Sequence, residues 1–154
     1  MVDVGLTYDP ARGECDIAFA RGDAVLDITP ATPVLFSLLA DRRALPTDAL
    51  PDDPLPPAGA GVPVLTDRRR GWCGDALDPL GRRAGSRLWL LQRAKAGEKT
   101  RKLAETAAAD ALGWLRTERN LAVTVTVEWV RRQMLGIRVT AGTARVGIAQ
   151  QVGA

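Results

Sequence analysis

The chain has 154 residues, 46% of them apolar, and sets 21 lysines and arginines against 18 acidic side chains with no histidine. At this length folding buries roughly 68–70% of the unfolded chain's surface, so a core needs no disulfide or metal staple, and a net charge of +3 is far from the one-sided charge of a dedicated nucleic-acid binder. The absence of histidine removes the commonest general base, the Ser-His and Cys-His arrangements and most transition-metal sites. We take residues 1–154 as one domain. No stretch approaches the ~18 consecutive apolar residues of a membrane span, and the opening MVDVGLTYDPARGE has no basic region followed by an apolar one, so a soluble cytoplasmic product is expected. Cys15 and Cys73 lie far apart with no second pair, which suits free, buried thiols.

Along the chain, Cys15, Ile17 and Phe19 alternate with Asp16, Ala18 and Ala20. Arg21 to Asp23 supplies a turn and Ala24 to Ile28 the returning strand, a small β-hairpin. Pro30 and Pro33 punctuate the next segment, Thr32 offers a cap, and Val34, Leu35, Leu38 and Leu39 recur at helical spacing as far as Asp41. Residues 45–63 are rich in Pro, Asp, Gly and Ala without any period, a surface loop longer than the ~12–15 residues usual inside a compact domain. Ser86 can cap a helix over RLWLLQRAK, with Gly97 as its stop. The strongest helical pattern runs from Glu98 to Glu118, with Leu103, Ala107, Ala111, Trp114 and Leu115 on one stripe. From Leu121 the period changes to two: Val123, Val125, Val127 and Trp129 share a face, Val130 to Gln133 turns, and Leu135, Ile137 and Val139 return as an antiparallel partner. A third short strand is expected within Ala144 to Ala149. The sum is an α+β fold: an N-terminal β-hairpin and about three helices packed on a small, mainly antiparallel C-terminal sheet.

Few motifs carry chemistry. RGD at Arg21 to Asp23 is what a hairpin turn wants, GAG at Gly59 to Gly61 lacks the helix start of a phosphate cradle, and the aspartates of PDDP at 51–54 are solvated. Glu118 sits at the junction of the long helix and the central strand, but a glycosidase needs a second, opposed carboxyl group, and neither Glu128 nor Asp110 is compelling. With Arg116 and Arg119 beside it, Glu118 reads more simply as a charged helix end. Arg68, Arg69 and Arg70 next to Trp72 suit either a phosphate backbone with a stacked base or the anchor of a protein interface. Asp67, Asp75 and Asp78 would repel phosphates. These residues point to no catalytic, cofactor or metal site.

The ordered segments GDAVLDI, LFSLLADRRA, DRRRGWCGD, GSRLWLLQRAK and ADALGWLRTERNLAVTVTV together resemble the Mu-type phage family known as gene product forty-six, baseplate wedge components of contractile tails. The likeness runs from about Asp16 to Thr140. Its specific part is the Arg-Gly-Trp-x-Gly-Asp turn followed by Gly-Ser-Arg-Leu-Trp-Leu-Leu. That family is similar in turn to the T-even phage gene-twenty-five wedge protein and its type VI secretion counterpart, a small α+β domain. Two departures stand out: Cys73 replaces a second tryptophan, and Thr117, Glu118 and Arg119 stand where wider relatives have Glu-Pro-Arg.

The resemblance implies a structural, non-enzymatic wedge subunit without cofactors that binds other wedge proteins and helps start assembly of the tail sheath, with the baseplate hub as a further partner. It implies no small-molecule substrate, membrane or nucleic acid, and a place in the virion's tail baseplate after assembly in the host cytoplasm. Arg68, Arg69, Arg70, Trp72, Glu118 and Arg119 are then partner contacts, the arginines recognising acidic surface and Trp72 acting as anchor. A peptidoglycan-cleaving tail enzyme and a nucleic-acid-binding accessory protein are the competing readings. The likeness of the relatives to a strand-exchanging sheath domain implies that an open edge of the C-terminal sheet accepts a partner strand.

Overall fold

The computed structural model describes residues 2–51 and 68–153. Most of the proline-rich loop, with GAG, Asp52 and Asp53, and also Asp67, therefore lies outside the described residues. Six short strands form an N-terminal ribbon: β1 (Asp3–Val4), β2 (Leu6–Asp9), β3 (Glu14–Ile17), β4 (Phe19–Ala20), β5 (Asp23–Ala24) and β6 (Leu26–Asp27). The antiparallel pairs are β1 with β6, β2 with β3 and β4 with β5. They meet where Gly5 N–H donates to Val25 O at 2.6 Å and Ala18 N–H to Gly5 O at 2.8 Å. The expected hairpin exists only at its tip, where Arg21 and Gly22 both take positive φ, as a two-residue hairpin loop requires. Below the tip, Cys15 and Ile17 pair with Tyr8 and Leu6, not with the Ala24–Ile28 segment. Alternation identifies a strand without naming its partner.

Helix α1 (Ala31–Leu39) comes next, and its cap differs from the expected one. The Asp27 carboxylate accepts from Thr29 N–H at 2.8 Å and Thr32 N–H at 3.0 Å, while Thr29 Oγ1 accepts from Ala31 N–H at 3.2 Å. Thr32 Oγ1 instead accepts from Leu6 N–H at 3.1 Å and ties the ribbon to the helix. Desolvation alone pushes the Asp27 carboxyl up, but the Thr29 hydroxyl and the Thr29 and Thr32 amides together hold it below its ordinary value. Val34 and Leu38 are buried on the core face of α1.

The segment RLWLLQRAK forms one 3₁₀ turn, Leu88–Leu91, and not the longer helix expected. Ser86 still works at its start: its hydroxyl accepts from Leu88 N–H at 3.3 Å and donates to Leu38 O at 2.6 Å. The long helical pattern splits into α2 (Glu98–Ala111) and α3 (Gly113–Thr117), broken at Leu112. Gly113 weakens the helix there, and the change of phase places both Leu112 and Leu115 in the core. The buried row of α2 is Thr100, Ala104, Ala108 and Ala111; of the stripe read from the sequence, Ala111 and, in α3, Leu115 are buried, Ala107 and Trp114 pack partly buried against the core, and Leu103 is exposed. Alanines on that row let α2 approach the sheet and the 3₁₀ turn closely.

The C-terminal sheet is an antiparallel meander of β7 (Val123–Arg131), β8 (Met134–Ala141) and β9 (Ala144–Gln151), in the order β7-β8-β9. Leu135, Ile137, Val139 and Ile148 face the helices and are buried. The two edges differ. On β7, Arg116 donates to Val123 O at 2.8 Å and Arg101 to Val127 O at 3.1 Å, so helix-borne guanidinium groups occupy outward carbonyls. On β9, the Tyr8 hydroxyl donates to Ala149 O at 3.2 Å and accepts from Ala149 N–H at 2.9 Å. Arg145 and Gly147 have the same parity as Ala149, so their backbone groups also point away from β8. Among the described residues no hydrogen bond engages the backbone groups of Arg145 and Gly147.

No helix among the described residues is long and apolar enough to cross a membrane. The cysteines are free, as expected, but not both buried: Cys73 is exposed, and Cys15 is half-buried, where burial pushes its thiol up.

Candidate functional site: the Trp72 cleft

A cleft of about 720 Å³ opens between the C-terminal half of α1, residues 72–85 and the end of α2 with α3. Trp72 forms one wall. Its ring meets Phe36 edge to face, with centroids 5.2 Å apart and planes at 82°, and it remains 43% exposed. Gly74 makes this pose possible, because a Cβ there would lie 2.2 Å from the Trp72 ring. Trp114 forms the opposite wall, its indole N–H donating to Ser37 Oγ at 3.1 Å.

Two aspartates fasten the loop that bears Trp72. Asp75 Oδ1 accepts from Ala84 N–H at 2.9 Å, and Asp78 accepts from Arg82 N–H at 2.7 Å and Nε at 3.0 Å. Arg82 reaches on to Glu118 Oε2 at 2.9 Å and so joins the loop to the end of α3. The hydrogen-bonded Arg82 guanidinium holds the Asp78 carboxyl down to about 2. The loop closes at Gly85, whose φ is +87° and where a Cβ would lie 2.3 Å from Ala40 O. Ser86 N–H donates to that same oxygen at 2.8 Å, which leaves no room for a side chain.

Of the residues singled out by sequence, Trp72, Glu118 and Arg119 line this cleft together. Arg68, Arg69 and Arg70 do not, and the contacts of Arg69 and Arg70 lie elsewhere in the chain. Arg69 donates to Leu45 O and to Pro46 O, while Arg70 pairs with Asp41 at 2.8 Å, bonds Gln92 at 3.3 Å and lies 4.5 Å over the Trp89 ring. Arg70 is held in the left-handed region at φ 51°, next to Gly71 at 125°. Arg69 and Arg70 thus bind the chain to itself, Arg70 on a tryptophan that is 4% exposed.

Sequence reading missed Phe36 and Arg82 and placed Trp114 in the core stripe. No local pattern reveals them, since each acquires its place only when α1, the 72–85 loop and α3 converge. The carboxylates of the cleft do not form a hydrolytic pair. Glu118 and Asp78 share Arg82, and Asp110 bridges to Arg87 at 3.1 Å, while Glu128 lies on the sheet paired with Arg138. A general acid of that kind needs a raised pKa, and Asp78 is shifted the other way. No group of three or more metal-ligating side chains occurs among the described residues.

The model of the family described as phage protein GP46 matches residues 30–146. The chain is 41% identical over 117 residues to a protein of Escherichia phage Mu named baseplate protein gp46, covering 76% of this chain and 70% of that one. It is 29% identical over 115 residues to the Mu-like prophage FluMu protein gp46 of Haemophilus influenzae, covering 75% and 67%. No solved structure matches at a significant level. The family match takes in α1, the Trp72 cleft, α2, α3 and the sheet as far as the start of β9, and the chain belongs to the GP46 family of phage proteins.

Proposed function

We propose that this protein is a structural, non-enzymatic wedge subunit of a contractile-tail baseplate, assembled in the host cytoplasm and carried in the virion. The observation that carries the reading is the 41% identity, across three quarters of the chain, to a phage Mu protein named as a baseplate protein. The chain as a whole acts as one wedge domain. It binds neighbouring wedge proteins through the Trp72 cleft, with Glu118 and Arg119 at its rim, and it helps start the sheath by accepting a strand on β9.

Two features of the molecule support this division of labour. The cleft offers a half-exposed tryptophan on a fastened loop, the residue type most enriched among interface anchors. The sheet has one edge occupied by arginines and one with outward backbone groups at Arg145 and Gly147. An added strand gains main-chain hydrogen bonds there and takes its register from alternate side chains.

The test is reconstitution with the neighbouring baseplate proteins, followed by size-exclusion chromatography and sheath polymerisation. Trp72→Ala should weaken wedge assembly by about 2 kcal/mol or more. Gly147→Pro removes an outward donor, and a variant that keeps its circular dichroism should enter the wedge yet fail to nucleate sheath. Glu118→Gln should lower infectivity only as far as it lowers assembly. Normal assembly by folded Trp72→Ala, or full assembly by Glu118→Gln with loss of cell-wall cleavage, would overturn the reading.

A further inference from the structure

The N-terminal ribbon is as unusual in its surface as the cleft. Seven of the fourteen large apolar side chains exposed among the described residues lie between Val2 and Ile28, with Phe19 at 69%, and Leu26 at 66% directly opposite the exposed Val4. Residues 2–28 contain six acidic side chains and two arginines, so a chain of net +3 divides into a ribbon of −4 and a body of +7. Asp3 stands across the strands from Asp27, whose carboxylate is taken up by Thr29 and Thr32, while no basic side chain pairs with Asp3, Asp16 or Asp23 among the described residues.

The lining of the Trp72 cleft sets four arginines against four acidic side chains, but the acids are already engaged, Asp75 by Ala84 N–H, Asp78 and Glu118 by Arg82, and Asp110 by Arg87. Arg82 is shared by Asp78 and Glu118, which leaves Arg42 and Arg83 on the cleft wall without an acidic partner among the described residues. Beside them stand Trp72 and Phe36. A ribbon cannot use its own cleft, because Thr32 and Ala149 hold its base at the first turn of α1 and on β9. The cleft begins towards the other end of α1, a helix about 13 Å long.

We propose that the ribbon of one copy docks on the Trp72 cleft of a second copy, head to tail, with Phe19 and Leu26 against the aromatic wall and the ribbon aspartates facing Arg42 and Arg83. This rests on the reading of the cleft as a partner surface, and it names that partner. Such a contact is heterologous, so repetition produces a ring or an open chain and not a closed two-fold dimer.

Sedimentation velocity of the full chain tests it. The wild type should associate as concentration rises, and less in about 0.5 M than in about 0.1 M salt, since exposed charges are screened. Phe19→Ser and Arg83→Glu change exposed side chains, so both should keep the wild-type circular dichroism and each should weaken association about tenfold or more. Mixing the two variants should restore a one-to-one pair and nothing larger, because each retains the half that the other lacks. A wild type that stays monomeric at every concentration, or variants that form no pair on mixing, would overturn self-docking. If that happens while Trp72→Ala still blocks wedge assembly, the cleft serves other proteins and only the self-docking idea falls.

Discussion

The ribbon and the C-terminal sheet are built from the same two-residue period and end in opposite conditions. In β8, Leu135, Ile137 and Val139 disappear beneath α1 and α2, whereas Ile17 and Phe19 in the ribbon are 44% and 69% exposed. Strand length and cover make the difference. Each strand of the meander has eight or nine residues paired along its length, with one register shift between Trp129 and Arg131, while no ribbon strand exceeds four and the path is broken at Gly5, Ala18 and Val25. A two-stranded piece is marginal alone in water, so the ribbon depends on its ties to the body through Leu6, Tyr8 and Thr32. Alternating apolar residues therefore mean core only where another layer arrives to cover them.

The sharpest way to break that contrast is a matched pair of truncations. Ile137→Ala should cost about 2–5 kcal/mol, as for other buried large-to-small changes, against no more than about 0.5 kcal/mol for Phe19→Ala at an exposed position. Urea midpoints measure both, at a concentration low enough to keep the chain monomeric. Comparable losses would show that the ribbon is covered in solution. Next in size, Asp27→Ala removes the cap of α1 and should cost about 1 kcal/mol. Because the folded-state carboxyl lies below its ordinary value, its stabilisation is present above about pH 4 and is lost as pH falls below that. Asp27→Asn should accordingly lose part of the wild type's acid sensitivity in urea melts at pH 7 and pH 3.

A smaller effect tests the tie between the two regions. Tyr8→Phe keeps the ring but removes both hydrogen bonds to Ala149, and should cost about 1 kcal/mol or less, because solvent can reach the freed groups. Hydrogen exchange at the Ala149 amide should quicken while that of Ile137 stays unchanged; equal quickening of both would mean that the ribbon supports the whole sheet. The smallest expected change is local to the cleft. The Arg82 contact depresses the Asp78 carboxyl to about 2, so the contact is complete above the ordinary carboxylate range and lost as pH falls towards that value. Trp72 fluorescence should change in that window and become insensitive to it in Asp78→Asn.

Local chemistry was enough to reveal α1, the helical character of 98–117, the RGD turn and all three strands of the C-terminal sheet, because each rests on periodicity or turn geometry within a short window. The buried LWLL turn and the resemblance carried by DRRRGWCGD were equally legible, and the family match bears that resemblance out. Tertiary structure alone decided which elements meet. It paired Cys15 and Ile17 with a strand the sequence had not disclosed, left Leu103 exposed while burying Thr100, Ala104 and Ala108 beside Ala111, and handed the α1 cap to Asp27. It also separated the arginines from their tryptophan neighbour. Arg70 turned inward to Asp41 and the Trp89 face, while Trp72 crossed Gly74 to join Phe36, Trp114 and Glu118, residues 36 to 46 positions away along the chain. Such choices depend on long-range packing and charge pairing, which compete only after the chain has collapsed, and no local pattern records the outcome of that competition.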